Sequence, residues 1–195
     1  MSLIGGVVMN KLKKYSMIGI GLLITISIVV SMFAKLYNEK CYWQRQAAYQ
    51  NYHHWSRIYF MTTEIEKIGF SRNGLQKMFL YINATAYDTE GYLSPCFSGG
   101  THTSRFLQTY YDGLALDIAA NTEMDDETLQ VAIDLFEETT IELRNLSLTI
   151  IEMTEDIEAK LALIDTDSEL YKQVDIMVKE YSNAYSERIS NFFLV

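Results

Sequence analysis

Proline is almost missing from this sequence: Pro95 is the only one, and the ten glycines stop at Gly113. Sandwiches and barrels need many tight turns, and tight turns lean on these two residues, so an architecture built on many turns is excluded. Cysteine is nearly missing as well. Cys41 and Cys96 are the only two, too few for a disulfide-dense scaffold and without the closely spaced ligand pairs that zinc takes. Histidine is limited to His53, His54 and His102. The adjacent pair diverges by about 100° on a helix and does not chelate one ion together; these two read as partly exposed helix residues beside Trp55. No Glu is followed three residues later by His, as a carboxylate-bridged di-iron bundle requires. No metal site and no cofactor is expected.

Positive charge is scarce in the second half of the chain. Residues 112–195 hold 5 basic and 20 acidic side chains, a balance of -15, whereas residues 35–111 hold 8 and 5, or +3. An acidic half of that size repels phosphate backbones, so nucleic acid is excluded as a partner. Asp134, Glu138 and Glu142, continued by Glu152 and Asp156, are spaced as a solvated helix face. Carboxylates do acid/base work only where burial shifts one of them. The serines lie in no strand-turn-helix elbow, and the SGGT stretch from Ser98 lacks the lysine of a phosphate-binding loop. The chain is therefore not expected to be an enzyme, and no catalytic residue is assigned.

What is present in quantity is apolar and aromatic side chain, including 14 Tyr. Residues 16–34 (SMIGIGLLITISIVVSMFA) carry no charge and lie between Lys14 and Lys35. At about 1.5 Å per residue they span roughly 28 Å as a helix, close to a bilayer's hydrocarbon core. Their many β-branched residues do not argue for a strand, because a single segment in lipid must satisfy its own backbone hydrogen bonds. The lead contains Lys11, Lys13 and Lys14, and Tyr37, Tyr42 and Trp43 follow at interfacial depth. Residues 1–15 are thus a basic lead, 16–34 a transmembrane signal anchor, and 35–195 a helical domain. A cleaved signal is the competing reading, but the uncharged run exceeds the core of a signal peptide. The residues before Cys41 do not form a lipoprotein cleavage motif. Lysines flank the run almost equally; the short basic lead sets the expected orientation, N-terminus cytoplasmic and domain outside the cell membrane.

No Gly or Pro interrupts residues 22–68, so the membrane helix is expected to continue into the domain, with Tyr37, Cys41, Ala48, Tyr52, Trp55, Tyr59, Ile65 and Ile68 on one face. Gly69 ends it, and Ser71 or Asn73 restarts the chain. A second helix carries Leu75, Met78, Phe79, Ile82 and Ala86 to Gly91. Residues 91–103 are expected to be a loop. A third helix, about 104–120, presents Leu107, Tyr110, Leu114 and Ile118 and ends at Asn121. Thr122 with Asp125 suggests a capping box. A fourth helix is expected over 123–164 without a break. Thr166 with Glu169 suggests a second box before a fifth helix carrying Leu170, Val174, Met177, Tyr181, Tyr185, Ile189 and Phe192. The fold expected is all-α: an N-terminal transmembrane helix continuing into an antiparallel bundle of four to five helices.

Cys41 and Cys96 fall on the same side of the anchor, and outside the cell a disulfide between them would staple the loop to the first helix. Asn83 and Asn145 head glycosylation sequons, which matter only in a eukaryotic secretory host. A basic lead, one membrane helix and a bundle of long helices resemble the extracytoplasmic sensor modules of bacterial chemoreceptors and histidine kinases, although no motif carries the likeness. Such receptors return through the membrane, and this sequence stops at Val195. Two functions are expected from the plan. One is a single-pass membrane-anchored bundle that engages a protein partner or itself at the cell surface. The alternative is the extracytoplasmic ligand-sensing domain of a bacterial receptor, cut short.

Overall fold

The computed structural model describes the backbone of residues 3–92 and 100–194 and the side chains of residues 16–87 and 100–194. Among the described residues there is no strand. The elements are α1 (Leu3–Ile68), α2 (Arg72–Tyr92), α3 (Gly100–Arg105), a π-helical turn (Phe106–Tyr111), α4 (Asp112–Ala120), α5 (Asp126–Met153), α6 (Ile157–Ala162) and α7 (Glu169–Phe193). Contacts divide the chain into two compact units, Met1–Trp43 and Gln44–Val195.

In the first unit the uncharged run is helical and its apolar side chains are open all round, as Leu23 (65% exposed) and Phe33 (70%) illustrate. Among the described residues α1 is the one helix long and apolar enough to cross a membrane.

In the second unit α1 ends as its sequence dictates. Gly69 takes the left-handed conformation (φ 94°) and its N–H donates to the Ile65 carbonyl at 3.0 Å. Ser71 then caps α2, its hydroxyl accepting from the Gly74 N–H at 3.1 Å. The core faces of α1 are Ala48, Trp55, Ile58, Met61 and Ile65. The stripe is rotated from the expected one: Tyr37 and Ile68 are exposed, Tyr52 and Tyr59 half-buried, and Asn51, His54 and Thr62 lie inside.

Cross-helix contacts fix how the remaining elements run. Phe70 meets Phe136 (centroids 6.4 Å apart), Glu66 pairs with Arg144, and Lys160 lies over the Tyr52 ring at 4.3 Å. As residue numbers fall along α1 they rise along α5 and α6, so these run antiparallel. By the same logic α2 is antiparallel to α3 and α4: Arg72 donates to the carbonyls of Ile118 (3.0 Å) and Asn121 (2.6 Å), Gln76 to Ala119 (2.8 Å), and Gln108 to Ala86 (3.3 Å). The guanidinium of Arg72 thereby serves the orphan carbonyls at the negative end of α4. Tyr181 donates to the Thr139 carbonyl at 2.9 Å and Arg188 reaches Glu138, which sets α7 antiparallel to α5.

Five sequence expectations need correction. Residues 100–103 are helical, not loop; residues 93–99 lie outside the described residues. The third helix contains a π turn, which slips the register by one, so Tyr111 and not Tyr110 occupies the core, its ring tilted against Phe136 at 4.7 Å and its hydroxyl bonded to that of Thr140 at 2.8 Å. The fourth helix breaks after Met153, where Thr154 turns its hydroxyl onto the Ile150 carbonyl (2.6 Å) and Asp156 caps α6 by accepting from the Ala159 N–H (2.7 Å). The buried ammonium of Lys160 donates to the Glu155 carbonyl at that break. The caps also differ from those expected. Asp125, accepting from the Thr128 N–H (2.8 Å), and Ser168, accepting from the Tyr171 N–H (3.0 Å), are each better placed than Thr122 or Thr166, since each immediately precedes its helix.

Two glycines separate conformational need from mere presence. A Cβ on Gly74 would press into the Gly69 carbonyl oxygen, whereas one on Gly113, inside α4, meets nothing within 4 Å. Gly74→Ala is expected to lower stability by about 1–3 kcal/mol through distortion of the α1–α2 turn. Gly113→Ala should raise it by up to about 1 kcal/mol through helix propensity. Thermal melts of both variants check the two signs.

Candidate functional site

A file of aromatic rings runs through the second unit and opens onto its surface. From Phe136 and Tyr111 it continues to Phe106, which packs edge-on to Tyr181 (5.1 Å), and Tyr181 lies against Tyr185 with the rings tilted (4.8 Å). Burial pushes the Tyr111 and Tyr181 hydroxyls far above their usual range, so both stay protonated and serve as donors or acceptors only. Tyr185 reaches the surface, where the Arg188 guanidinium lies 5.2 Å from its ring centre and grips Glu138 through two bonds of 2.5 and 2.6 Å. Hydrogen bonding from Arg188 holds the Glu138 carboxyl below its ordinary range.

That ion pair stands at one end of a groove of about 830 Å³ between the first half of α5 and the end of α7. Its apolar surface comes from Val131, Leu135 and Phe192, and its acidic wall from Glu127 and Asp134. Asp134 accepts from the Gln130 amide at 2.7 Å. The acidic face read from the sequence is thus real and solvated: Asp134, Glu138 and Glu142 are all exposed. Sequence reading missed the groove, because its far wall is contributed by residues more than fifty positions away.

A second cluster lies inside. Asn51 is fully buried with both amide atoms making no hydrogen bond within the protein, and the same holds for His54 Nε2 and Trp55 Nε1. These three are spaced to share one flank of α1. Each such atom costs about 1–3 kcal/mol relative to a satisfied one. His54 is therefore not the partly exposed residue expected. It is 3% exposed, and burial, aided by the charge of Arg57, lowers its pKa to about 3. His53 is exposed, and no three His, Cys, Asp or Glu side chains converge as a metal site among the described residues. Asp112, just past the π turn, is also buried. One oxygen accepts from the Asn83 amide (3.1 Å), the other makes no bond within the protein, and burial raises its pKa.

The remaining sequence candidates fare unequally. Cys41 is half-buried on α1, while Cys96 lies outside the described residues. Asn83 is engaged by Asp112 and its sequon partner Thr85 is buried; Ser147, the partner of Asn145, is buried and bonded to the Leu143 carbonyl at 2.7 Å. Neither sequon is presented as an accessible loop.

The neutral, buried His54 sets a pH dependence. Between pH about 6.5 and 3 the unfolded chain protonates this imidazole while the folded chain does not, so stability falls with falling pH across that window and is unaffected above it. Denaturant melts at pH 6.5 and 5.0, where ordinary carboxylates remain ionised, should show a loss in the native protein that is reduced by about 1–2 kcal/mol in His54→Leu. Equal slopes would contradict a buried neutral imidazole.

No protein-family model matches this chain, and no curated protein or solved structure is similar to it.

Proposed function

We propose that this chain is a single-pass membrane protein whose second unit lies outside the cell and acts by engaging a protein partner, without catalysing a reaction. The observation that carries the reading is the run 16–34: large apolar side chains on every side of one helix, none of them covered by protein. Water does not tolerate such a surface, and lipid does. Lys11, Lys13 and Lys14 before it support a cytoplasmic N-terminus. The non-enzymatic reading is supported by the acidic face of α5, whose carboxylates are solvated or paired. The groove between α5 and α7 supports an interaction role, since it sets the apolar side chains Val131, Leu135 and Phe192 in a concavity rimmed by charge.

The second reading, an extracytoplasmic ligand-sensing domain of a bacterial receptor, draws on the volume of that groove, about 830 Å³, which falls within the range of small-molecule sites. Its openness along one whole side favours a macromolecular partner.

Membranes washed in alkaline carbonate should retain the chain, and release without detergent would overturn the anchor. Protease added to intact cells should digest the second unit. Non-reducing peptide maps from the same cells should contain a Cys41–Cys96 linked peptide; both thiols freely alkylated, with the unit protected from protease, would place it in the cytoplasm.

A further inference from the structure

We infer that the groove between α5 and α7 is the docking site for a basic amphipathic helix of a partner protein. The inference deepens the interaction reading above and rests on it. Two antiparallel helices bound the groove, and from Glu127 to Glu138 it extends eleven residues along α5, or about 16 Å, three turns of helix. A third helix laid there would set apolar anchors at i, i+3 or i+4, and i+7 against Val131, Leu135 and Phe192. Val131 is 53% exposed, an uncovered β-branched side chain in the middle of that floor.

Charge selects the sign of the partner. Glu138 is neutralised by Arg188, so the surplus in the lining is Glu127, which is exposed, and Asp134, whose bond is to a neutral amide. Both stand in the half of the chain whose balance is -15. A helix with Lys or Arg beside its apolar stripe meets attraction along the rim, and an acidic one meets repulsion. The chain's own exposed basic and apolar side chains include Arg45, Tyr49 and Phe60 on α1 and Lys77, Leu80 and Tyr81 on α2. Within the second unit the first two stand at the opposite end from the groove, because the top of α1, at Glu66, is level with Arg144 of α5. Copies packed side by side with parallel axes therefore do not bring Arg45 and Tyr49 into each other's grooves, and a second copy offering its α2 face instead is an outcome that self-association of the chain decides. A small molecule would be covered from two sides only, short of the enclosure such ligands need.

The test uses the full chain in phosphatidylcholine nanodiscs and a fluorescent 14-residue Leu/Lys helix with leucines at i, i+3, i+4 and i+7, with its Leu/Glu counterpart and empty nanodiscs as controls. Anisotropy should show saturable one-to-one binding of the Leu/Lys helix alone. Glu127→Lys with Asp134→Lys should weaken it about tenfold, the scale of two exposed charge reversals. Val131→Ser, a surface change that spares the fold, should weaken it about threefold through lost apolar contact. Glu152→Lys with Glu158→Lys, the same charge change on exposed residues outside the groove, should leave affinity within about twofold. Equal loss from both charge pairs, no loss from Val131→Ser, or binding of the Leu/Glu helix would overturn the proposal. Self-association of the chain abolished by the groove substitutions would also overturn it, by assigning the groove to a second copy. Failure here with the chain retained in carbonate-washed membranes would remove the groove assignment and leave the anchor standing.

Discussion

One helix face carries the second unit. Along α1, Trp55, Ile58, Met61 and Ile65 are essentially without solvent exposure, and each contributes about 1.5–3 kcal/mol of burial free energy. Helix α5 matches this face with a buried stripe from Ala132 to Ile150, and α5 and α6 are tied to α1 or its end by specific contacts: Arg144 to Glu66, Phe136 to Phe70, Lys160 to Tyr52. Helix α1 also holds the uncharged run 16–34, which is long and apolar enough to cross a membrane. Nothing in residues 22–68 favours a break, since neither Gly nor Pro occurs there. A single α-helix thus carries two surfaces, an uncovered apolar one along one stretch and a face buried in protein along another.

Burial of apolar area is non-directional and would tolerate several packings of so many amphipathic helices. Direction and register come from polar groups. Arg72 and Gln76 hold the carbonyl end of α4, Asn83 meets Asp112 and Gln108 meets the Ala86 carbonyl, so α2 and its return are pinned along their length. Tyr111 and Tyr181 do the same for α5, through Thr140 and the Thr139 carbonyl. Lys160 is the extreme case. The residue is 6% exposed, its ammonium satisfied by backbone carbonyls where α5 gives way to α6 and faced by the Tyr52 ring. A methionine there would fill the space and leave those carbonyls unpaired.

Local signals made much of this legible. Gly69 and Ser71 marked the α1–α2 turn because a left-handed residue and an N-cap are chemical requirements of single positions, and Asn121 marked the end of α4. The candidate membrane span was legible because it is nineteen uncharged residues in a row. What escaped was decided by distant partners. The π turn exists to seat Tyr111 between Phe136 and Thr140, residues on another helix, and local periodicity chose Tyr110 instead. The break at Thr154 depends on a side chain folding back on its own carbonyls, a preference too weak to show against a long amphipathic pattern. His54 was misread because adjacency to a buried Trp does not reveal which flank of the helix faces inward. The groove required the pairing of α5 with α7, and its charge was visible only as part of a general acidity.

The sharing of α1 is tested most directly by a nitroxide scan over residues 48–65 of the full chain in lipid, in a background lacking Cys41 and Cys96, reading collision with a water-soluble relaxer at each position. Accessibility should oscillate with a period near 3.6, with minima at Ala48, Asn51, Trp55, Ile58, Thr62 and Ile65 and maxima at Tyr49, His53, Arg57 and Phe60. Uniform accessibility, or minima at the second set, would contradict the packing of the continuation of α1 into the core of the second unit.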